Sequence, residues 1–447
     1  MNPNPDLRPD ELSRRHFVER LAKTALGVSV LGAGGGLARG QVVAGNPTAD
    51  HCILLLMTGG MPHIDTFDPK PGKSEVMGPT GTVSSKLVGE PFANHIPKLA
   101  ALADKLTVIR SMYQKTADHQ QATYTMRTSY APIPSIVHPS MGPWAQQLLG
   151  KGHATLPDSV TIGAGVAHPG GGFMPPSFSP MPVDSPERGV PNMKPSGFSH
   201  SEEAEKRYEG ILARRLELTE KLDETFRTEV AHEKVKAYTE FYDETLKFLH
   251  SEDLLLFDLN EEKEEQRNRY GLNPFGQGCL LAKRLVKGGV RFVEVAYSGW
   301  DTHIDNFERV PTLAGTMDVA VANLLMDLEA EGMLERTLVV IATEFGRTPV
   351  INGNSGRDHH SLAFSCVLAG GGAKRGQIIG KSDASGDRLE TEPYEPKHLN
   401  ATIAHALGMD LNKVVYSPSG RPFTVATHKT EGKDTVSAAA PILEAFG

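Results

Sequence analysis

Three groups of imidazole and carboxylate side chains stand out in the sequence. Each group follows an apolar run that is typical of a buried strand. The groups are His63 with Asp65, Asp301 with His303, and Glu344 with Asp358 and His359. Because a parallel sheet brings the carboxyl ends of its strands to one edge, we expect all seven side chains to meet there. Seven nitrogen and oxygen donors are enough to bind two divalent ions.

The donor types indicate which metals and reactions such a centre would serve. Imidazole together with carboxylate suits Zn, Mn or Fe, whereas Ca prefers more oxygen donors. Two ions roughly 4 Å apart hold the attacking and leaving oxygens in ester hydrolysis and phosphoryl transfer. In a rival interpretation, His303 or His359 is a general base that acts without metal and is oriented by a neighbouring aspartate. The number of donors favours a metal centre.

Each group also has a plain structural explanation when it is taken alone. His63 and Asp65 follow a Gly-Gly turn, and hydrogen bonds within that turn explain them more simply. Arg347 is placed to bind an anionic group through two parallel hydrogen bonds, or simply to neutralise Glu344. His119 lies beyond the end of another predicted strand, where a nucleophile or base belongs, although polar loop residues are common there.

Apolar runs alternate with amphipathic segments along the chain, and this pattern predicts the elements that position these residues. Predicted strands cover 51–57, 106–110, 290–296, 337–342 and 364–369, and predicted helices cover 273–287, 313–332 and 397–407. Residues 201–269, rich in Glu, Lys and Leu, predict a helical insertion. The alternation predicts an α/β fold, a mostly parallel sheet with helices on both faces.

The composition is that of a folded globular protein, and it excludes some classes of function. The 447 residues are 39% hydrophobic and carry a formal net charge of −8 at pH 7. No dense block of Lys and Arg is present, which argues against general nucleic-acid binding. The three cysteines, Cys52, Cys279 and Cys366, have no short spacing. They fit neither a disulfide framework nor a thiolate metal site, so we expect buried, inert thiols.

The first 44 residues predict an export signal. Ser-Arg-Arg-His-Phe at 13–17 has the paired arginine of a twin-arginine signal, and a mild apolar stretch follows at 24–38. That stretch is too short and too weakly apolar to span a bilayer, and small residues at 42–44 offer a cleavage site. A tail that contains Arg-Arg by chance is the alternative. We expect export by the twin-arginine route to the periplasm or cell exterior, with 45–447 as the folded domain and no transmembrane segment.

The chain also resembles the DUF1501 family of exported bacterial proteins, which is abundant in planctomycetes. The resemblance covers roughly residues 50–425 and rests on motifs in the same order. These are MTGGMPHIDTFDPKP at 57–71, RYG at 269–271, LAKRL at 281–285, GVRFV at 289–293, WDTH at 300–303, EFGRTP at 344–349, GRDH at 356–359, GGG at 370–372, GQIIG at 376–380 and GRP at 420–422.

This resemblance implies the fold of the alkaline phosphatase and sulfatase superfamily, many of whose members hydrolyse phosphate or sulfate monoesters at a two-metal or single-Ca site. It further implies a divalent metal (Zn, Mn or Ca) and an anionic ester substrate, with polysaccharide esters as candidates. An exported haem-domain protein is the candidate partner.

The chain departs from the superfamily pattern at two strand ends. The sequence Thr-Gly-Gly at 58–60 stands where aspartate is usual, and Glu344-Phe345 stands where an Asp-His pair is usual. No Cys or Ser lies in a sulfatase-type motif. Two functions therefore stay open. One is a metal-dependent hydrolase with Arg347 and His119 in catalysis, and the other is a non-catalytic binding or assembly protein of the same fold.

Overall fold

The computed structural model describes residues 47–165, 167–187, 244–245, 247–249, 251–431 and 435–446. The predicted export signal and residues 201–243 of the predicted helical insertion lie outside these ranges. Within the described part of the chain, the centre of the fold is an eight-stranded sheet. No helix in that part combines the length and hydrophobicity needed to cross a membrane.

The described strands are short to medium in length and spread along the chain. In chain order they are β1 (His51–Met57), β2 (Thr82–Val83), β3 (Phe92–Ala93), β4 (Leu106–Met112), β5 (Ser159–Ile162), β6 (Met181–Val183), β7 (Phe292–Tyr297), β8 (Thr337–Thr343), β9 (Gly346–Ile351), β10 (Arg357–His360), β11 (Phe364–Ala369), β12 (Gln377–Ile379), β13 (Val415–Tyr416), β14 (Pro422–Phe423), β15 (Thr427–Glu431) and β16 (Thr435–Ala438).

The main sheet has the spatial order β12-β4-β11-β8-β1-β7-β5-β6. Its neighbouring strands are parallel except where β11 runs antiparallel to both β4 and β8. The expected mostly parallel sheet is therefore confirmed. Because β11 reverses direction between its neighbours, β4 points the same way as β8, β1 and β7. The carboxyl ends of these four strands lie along one edge, whereas the glycines after β11 lie at the opposite edge.

The described α-helices cover both faces of this sheet. Those with both ends described are α1 (Ser74–Met77), α2 (Pro97–Ala101), α3 (His119–Thr128), α4 (Met141–Leu149), α5 (Glu264–Tyr270), α6 (Pro274–Gly288), α7 (Asn306–Ala330) and α8 (Pro396–Ala406). One core lies between the sheet and α2, α6 and α7, and a second core lies between the sheet and α3, α4 and α8.

The central strand β1 shows why a continuous apolar run is needed here. Successive strand side chains point to opposite faces of a sheet. Ile53 and Leu55 of β1 enter the first core, and Leu54 and Leu56 enter the second. Each fully buried side chain of this size contributes about 1.5–3 kcal/mol relative to exposure. An alternating polar pattern would leave one of the two cores without this contribution.

The predicted elements agree closely with the observed ones. All five predicted strands are present, with ends shifted by at most two residues, and the helix predicted at 313–332 begins earlier, at Asn306. The three cysteines are buried and free, as expected. In the described end of the predicted insertion, residues 251–263 contain two short 3-10 helices and α5 follows them.

Candidate metal centre

Four strand ends deliver polar side chains to one edge of the sheet. β7 leads into Asp301 and His303, and β8 ends one residue before Glu344. β4 leads through a short loop to His119, the first residue of α3. The antiparallel hairpin of β9 and β10 carries His359 to the same edge. Side chains that are far apart in sequence therefore meet because the strands that precede them share a direction.

Two local features fix the turns that enter this edge. The Asp118 side chain accepts a hydrogen bond from the Gln121 N–H at 2.9 Å, which caps α3 and sets the position of His119. In the turn after β1, Gly59 has a φ of +112°, and a Cβ atom there would lie 2.5 Å from the Asp301 nitrogen. Only glycine combines this backbone conformation with such a close approach. The turn can therefore pack directly against the loop that carries Asp301.

Three imidazole nitrogens face one carboxylate oxygen. Oδ1 of Asp301 lies 3.2 Å from Nε2 of His303 and 3.4 Å from Nε2 of both His119 and His359. Among the described residues, His119, Asp301 and His359 form a group whose donor atoms all lie within 4.8 Å of one another. The structure thus brings together Asp301, His303 and His359, as the strand-end argument predicts, and adds His119. We call these four residues the donor cluster.

The opposite nitrogen of each ring is held by a hydrogen-bond acceptor. Nδ1 of His119 lies 2.9 Å from Oε1 of Glu344, and Nδ1 of His303 lies 2.7 Å from Oδ1 of Asp358. Nδ1 of His359 lies 2.7 Å from a backbone carbonyl oxygen. Carbonyls and ionised carboxylates only accept hydrogen bonds, so each Nδ1 carries the hydrogen. Each neutral ring therefore presents the lone pair of Nε2 to the centre of the cluster.

This arrangement fits a cation between the donors. The Nε2 lone pairs face the Asp301 oxygen, which is also an acceptor, so they repel it unless a cation or further protons lie between them. Nε2 of His119 is buried and has no hydrogen-bond partner within the described chain. A tetrahedral Zn ion with ligands at about 2.0–2.1 Å holds its ligand atoms about 3.3 Å apart. The three distances from the Asp301 oxygen to the imidazoles, 3.2–3.4 Å, match that spacing, and the donor atoms of His119, Asp301 and His359 all lie within 4.8 Å of one another.

Neighbouring charges and burial set the protonation of the cluster. Burial alone would raise the pKa of Asp301, but the hydrogen bond and charge of Arg347 outweigh it and hold this pKa at about 2. The hydrogen bond to Glu344 raises the pKa of His119, whereas burial and the Arg347 charge lower the pKa of His359. Asp301 is therefore a carboxylate at neutral pH, the form that binds metal.

The sequence matches a known family over most of its length. The matching family model covers residues 49–435 and is described as "Protein of unknown function (DUF1501)". The chain belongs to the DUF1501 family. The resemblance that the motifs indicate is therefore confirmed. No curated protein matches the sequence of this DUF1501 chain.

Solved structures that are similar in fold to this chain include the following three, all at low sequence identity. The lipoteichoic acid synthase LtaP from Listeria monocytogenes is 10% identical, with 88% of this chain and 78% of LtaP covered at a TM-score of 0.35. The PsFucS1 sulfatase from Pseudoalteromonas sp. is 14% identical, with 85% of this chain and 70% of the sulfatase covered at a TM-score of 0.34. A protein in the alkaline phosphatase superfamily from Vibrio parahaemolyticus is 12% identical, with 88% of this chain and 84% of that protein covered at a TM-score of 0.35. These are distant likenesses of fold.

In this DUF1501 chain, Glu344 and Asp358 hold imidazoles and do not join the donor cluster. Glu344 is fully buried, and its Oε1 also accepts a hydrogen bond from the Gly59 N–H at 2.7 Å. Asp358 is exposed and also accepts a hydrogen bond from the Asn352 amide at 3.1 Å. Carboxylates in such positions fix the tautomer and orientation of metal-binding histidines. These hydrogen bonds favour a supporting role for Glu344 and Asp358, and their direct binding of a metal stays a prediction.

His63 and Asp65 lie outside the donor cluster, although the sequence pattern predicts them as ligands. Asp65 is fully buried in an ion pair with Arg357 at 2.8 Å, and it accepts hydrogen bonds from Thr80 at 2.7 Å and Asn306 at 2.9 Å. His63 is buried with its Nε2 2.9 Å from a backbone carbonyl oxygen, and burial lowers its pKa to about 3. Asp65 is committed to contacts within the fold, whereas Nδ1 of His63 is buried and has no hydrogen-bond partner in the described chain. Neither side chain lies in the donor cluster, and their assignment as metal ligands stays a prediction.

Arg347, predicted as an anion-binding residue, makes its contacts within the fold. Its guanidinium is fully buried and donates hydrogen bonds to the backbone carbonyls of Gly59, Gly60 and Arg357. It also donates to Oδ1 of Asp301. These partners engage most of its N–H groups within the protein, so Arg347 is placed to orient Asp301. Its role toward an anionic substrate stays a prediction.

Several contributors to the site carry no signal in the sequence. The acceptor for Nδ1 of His359 is the backbone carbonyl of Ala117, and any residue type could provide it. Arg309 on α7 is exposed and donates to the carbonyls of Gly299 and Asp301 at 2.9 Å each. His119 is predicted as a general base, but its ring is held like that of His359. His119 therefore lies in the donor cluster, and its role as a general base stays a prediction.

Proposed function

We propose that this chain is a metal-dependent hydrolase of phosphate or sulfate esters. The observation that carries the proposal is the convergence of three Nε2 atoms on the Asp301 carboxylate, with each Nδ1 held by an acceptor. Hydrogen bonds that fix the far nitrogen of a histidine are a regular feature of metal sites in proteins. A purely structural role would not need three rings to direct their lone pairs at one carboxylate.

The chain's own residues divide the work of such a site. His119, His359, Asp301 and His303 supply the donor atoms, and Arg347 holds the Asp301 carboxylate in place from the buried side. A bound divalent ion would act as a Lewis acid toward the ester and lower the pKa of water. The side chains of Asp301 and His303 are 50% and 42% exposed, so the outer side of the cluster is open to a substrate.

Arg309 supports an anionic substrate. It lies at the rim, where its contacts with backbone carbonyls of the Asp301 loop fix the guanidinium while leaving N–H groups free. A planar guanidinium binds phosphate or sulfate oxygens through parallel hydrogen bonds. We therefore assign to Arg309 the anion-binding role that the sequence suggested for Arg347. Esters carried on polysaccharides are candidate substrates of this class.

Export and partnership belong to the same proposal. The twin-arginine pattern at 13–17 supports transport of the folded chain to the periplasm or cell exterior. Fractionation of cells that express the full chain tests this part, because replacing Arg14 and Arg15 with lysine should retain the protein in the cytoplasm. An exported haem-domain protein remains the candidate partner, and its co-purification with the exported chain is the corresponding test.

The activity test uses the full chain purified without chelators. Metal content is measured by elemental analysis, and turnover is measured on panels of aryl phosphates and aryl sulfates. Asp301→Ala and His359→Ala should lose metal and turnover together. His153→Ala is the matched control, because its side chain is 36% exposed, close to the 31% of His119, and lies outside the donor cluster. Retained metal without turnover on either panel would overturn the hydrolase and point to a non-catalytic binding protein.

A further inference from the structure

We propose that the donor cluster holds a single divalent ion and that the buried guanidinium of Arg347 supplies the positive charge that a second ion would otherwise provide. This inference rests on the metal centre of the proposed function, but it does not depend on which ester is hydrolysed. It narrows the sequence expectation, in which seven donors could bind two ions.

The number of free donor atoms in the centre supports one ion. Of the residues that the sequence nominates, Glu344 accepts hydrogen bonds from His119 and Gly59 through one oxygen. Asp65 spends both oxygens on buried partners. The donor cluster therefore offers three imidazole nitrogens and one carboxylate. His119, His359 and Asp301 supply three ligand atoms within 4.8 Å of one another for one ion, and Nε2 of His303 lies 3.2 Å from the same Asp301 oxygen. A second ion would have to share the carboxylate oxygens with the first.

Arg347 lies where a second cation would be expected. Its Nη2 contacts the same Asp301 oxygen that the imidazoles face, and the guanidinium is fully buried beneath the cluster. Three carbonyl contacts fix it there, so it cannot swing away to admit an ion. A two-ion centre of this kind uses carboxylate oxygens to hold both ions. In this structure the Arg347 guanidinium already lies on one side of that oxygen, with the imidazoles on the other.

The charge balance of the centre leads to the same conclusion. Asp301, Glu344 and Asp358 all interact electrostatically with Arg347. Their three negative charges are balanced by the guanidinium and one dication. A second dication would leave an excess of two positive charges beside the buried guanidinium of Arg347, which is unfavourable. Arg309 and Asp358 are both exposed, so solvent and salt screen these two charges more strongly than those of Arg347 and Glu344.

The test is a titration of the full, metal-free chain with Zn, and separately with Mn, followed by gel filtration and elemental analysis. One ion per chain is expected at saturation, with the same ratio from calorimetry. Two tightly held ions in the wild type would overturn the inference and leave the hydrolase proposal standing. One bound ion without ester turnover would support the single-ion inference and overturn the hydrolase proposal. An absence of bound metal would overturn both the inference and the hydrolase proposal.

Variants of Arg347 sharpen the result. Arg347→Lys keeps the charge and should stay at one ion, whereas Arg347→Gln should take up a second ion at high free metal. Arg309→Gln is the matched control for removing an arginine charge at the rim, and it should remain at one. A ratio of one in folded Arg347→Gln at saturating metal would contradict the charge argument. If Arg347→Gln does not fold, the wild-type ratio decides alone.

Discussion

Replacing Glu344 with glutamine tests the hydrogen bond that holds His119 while leaving every proposed metal-binding atom in place. The substitution keeps the shape of the side chain and removes its negative charge. Oε1 of Glu344 lies 2.9 Å from Nδ1 of His119 and 2.7 Å from the Gly59 nitrogen, and the side chain is fully buried. A neutral amide oxygen can accept the same bonds but polarises the ring less, so Nε2 becomes a weaker donor.

The expected loss is a factor of about 10–100 in metal affinity, the usual cost of changing a group that supports a metal-binding histidine. This range corresponds to about 1.4–2.7 kcal/mol of binding free energy. The bond from Gly59 also weakens when its acceptor loses charge, so we expect about 1 kcal/mol less stability in the metal-free chain. The two effects separate because only the first depends on metal.

The assay is competition between the protein and a chromophoric chelator, with thermal unfolding of the metal-free and metal-loaded chain. Asp318→Asn is the matched control. Asp318 is also a buried carboxylate, and it accepts bonds from the Lys98 and Leu99 nitrogens at 3.0 and 2.7 Å, away from the donor cluster. The Asp318→Asn substitution should lower the free energy of unfolding without changing the metal affinity. An unchanged affinity in Glu344→Gln, or an equal loss in Asp318→Asn, would refute the reasoning.

Two further predictions concern buried ion pairs outside the donor cluster. Burial alone would raise the pKa of Glu294, but Arg127 and His168 lower it to about 2 from the ordinary value of 4.5. The ionised carboxylate therefore stabilises the fold fully above pH 4.5, and this contribution is lost progressively as the pH falls toward 2. The Glu294→Gln variant should therefore have a free energy of unfolding about 3 kcal/mol lower than wild type at neutral pH. Its free energy of unfolding, measured by urea titration, should also fall less than that of wild type as the pH is lowered. An equal fall in both proteins would contradict this prediction. Asp65→Asn leaves the Arg357 charge uncompensated and should lower the free energy of unfolding, measured by chemical denaturation, by about 3–5 kcal/mol. The metal content per folded chain should not change. A loss of metal from the folded variant would instead indicate that Asp65 is a ligand.

The fold follows closely from the sequence because its strongest signals are local. The run at 337–342 is apolar and β-branched, and such a run is stable only as a strand covered on both faces. The meeting of Asp301, His303 and His359 follows from the same signal, since strand direction alone brings their loops to one edge. These predictions need no knowledge of side-chain orientation.

The roles within the site could not be predicted in the same way. Glu344 and Asp301 are both carboxylates just beyond a strand, yet one binds an imidazole hydrogen and the other faces the imidazole lone pairs. Asp65 leaves the site because Arg357, distant in sequence, pairs with it in the core. Arg347 turns inward because the glycine turn after β1 exposes carbonyls to it. Each outcome depends on long-range packing, which residue type and spacing do not encode.

Anomalous diffraction from crystals of the Zn-loaded full chain tests the central claim most directly. The account predicts one strong peak, about 2.0–2.2 Å from the Asp301 carboxylate and from the Nε2 atoms of His119, His303 and His359. The Nδ1 hydrogen bonds to Glu344 and the Ala117 carbonyl should remain in place. A density map without a peak among these atoms, with the imidazoles donating hydrogen bonds to Asp301 instead, would contradict the metal centre.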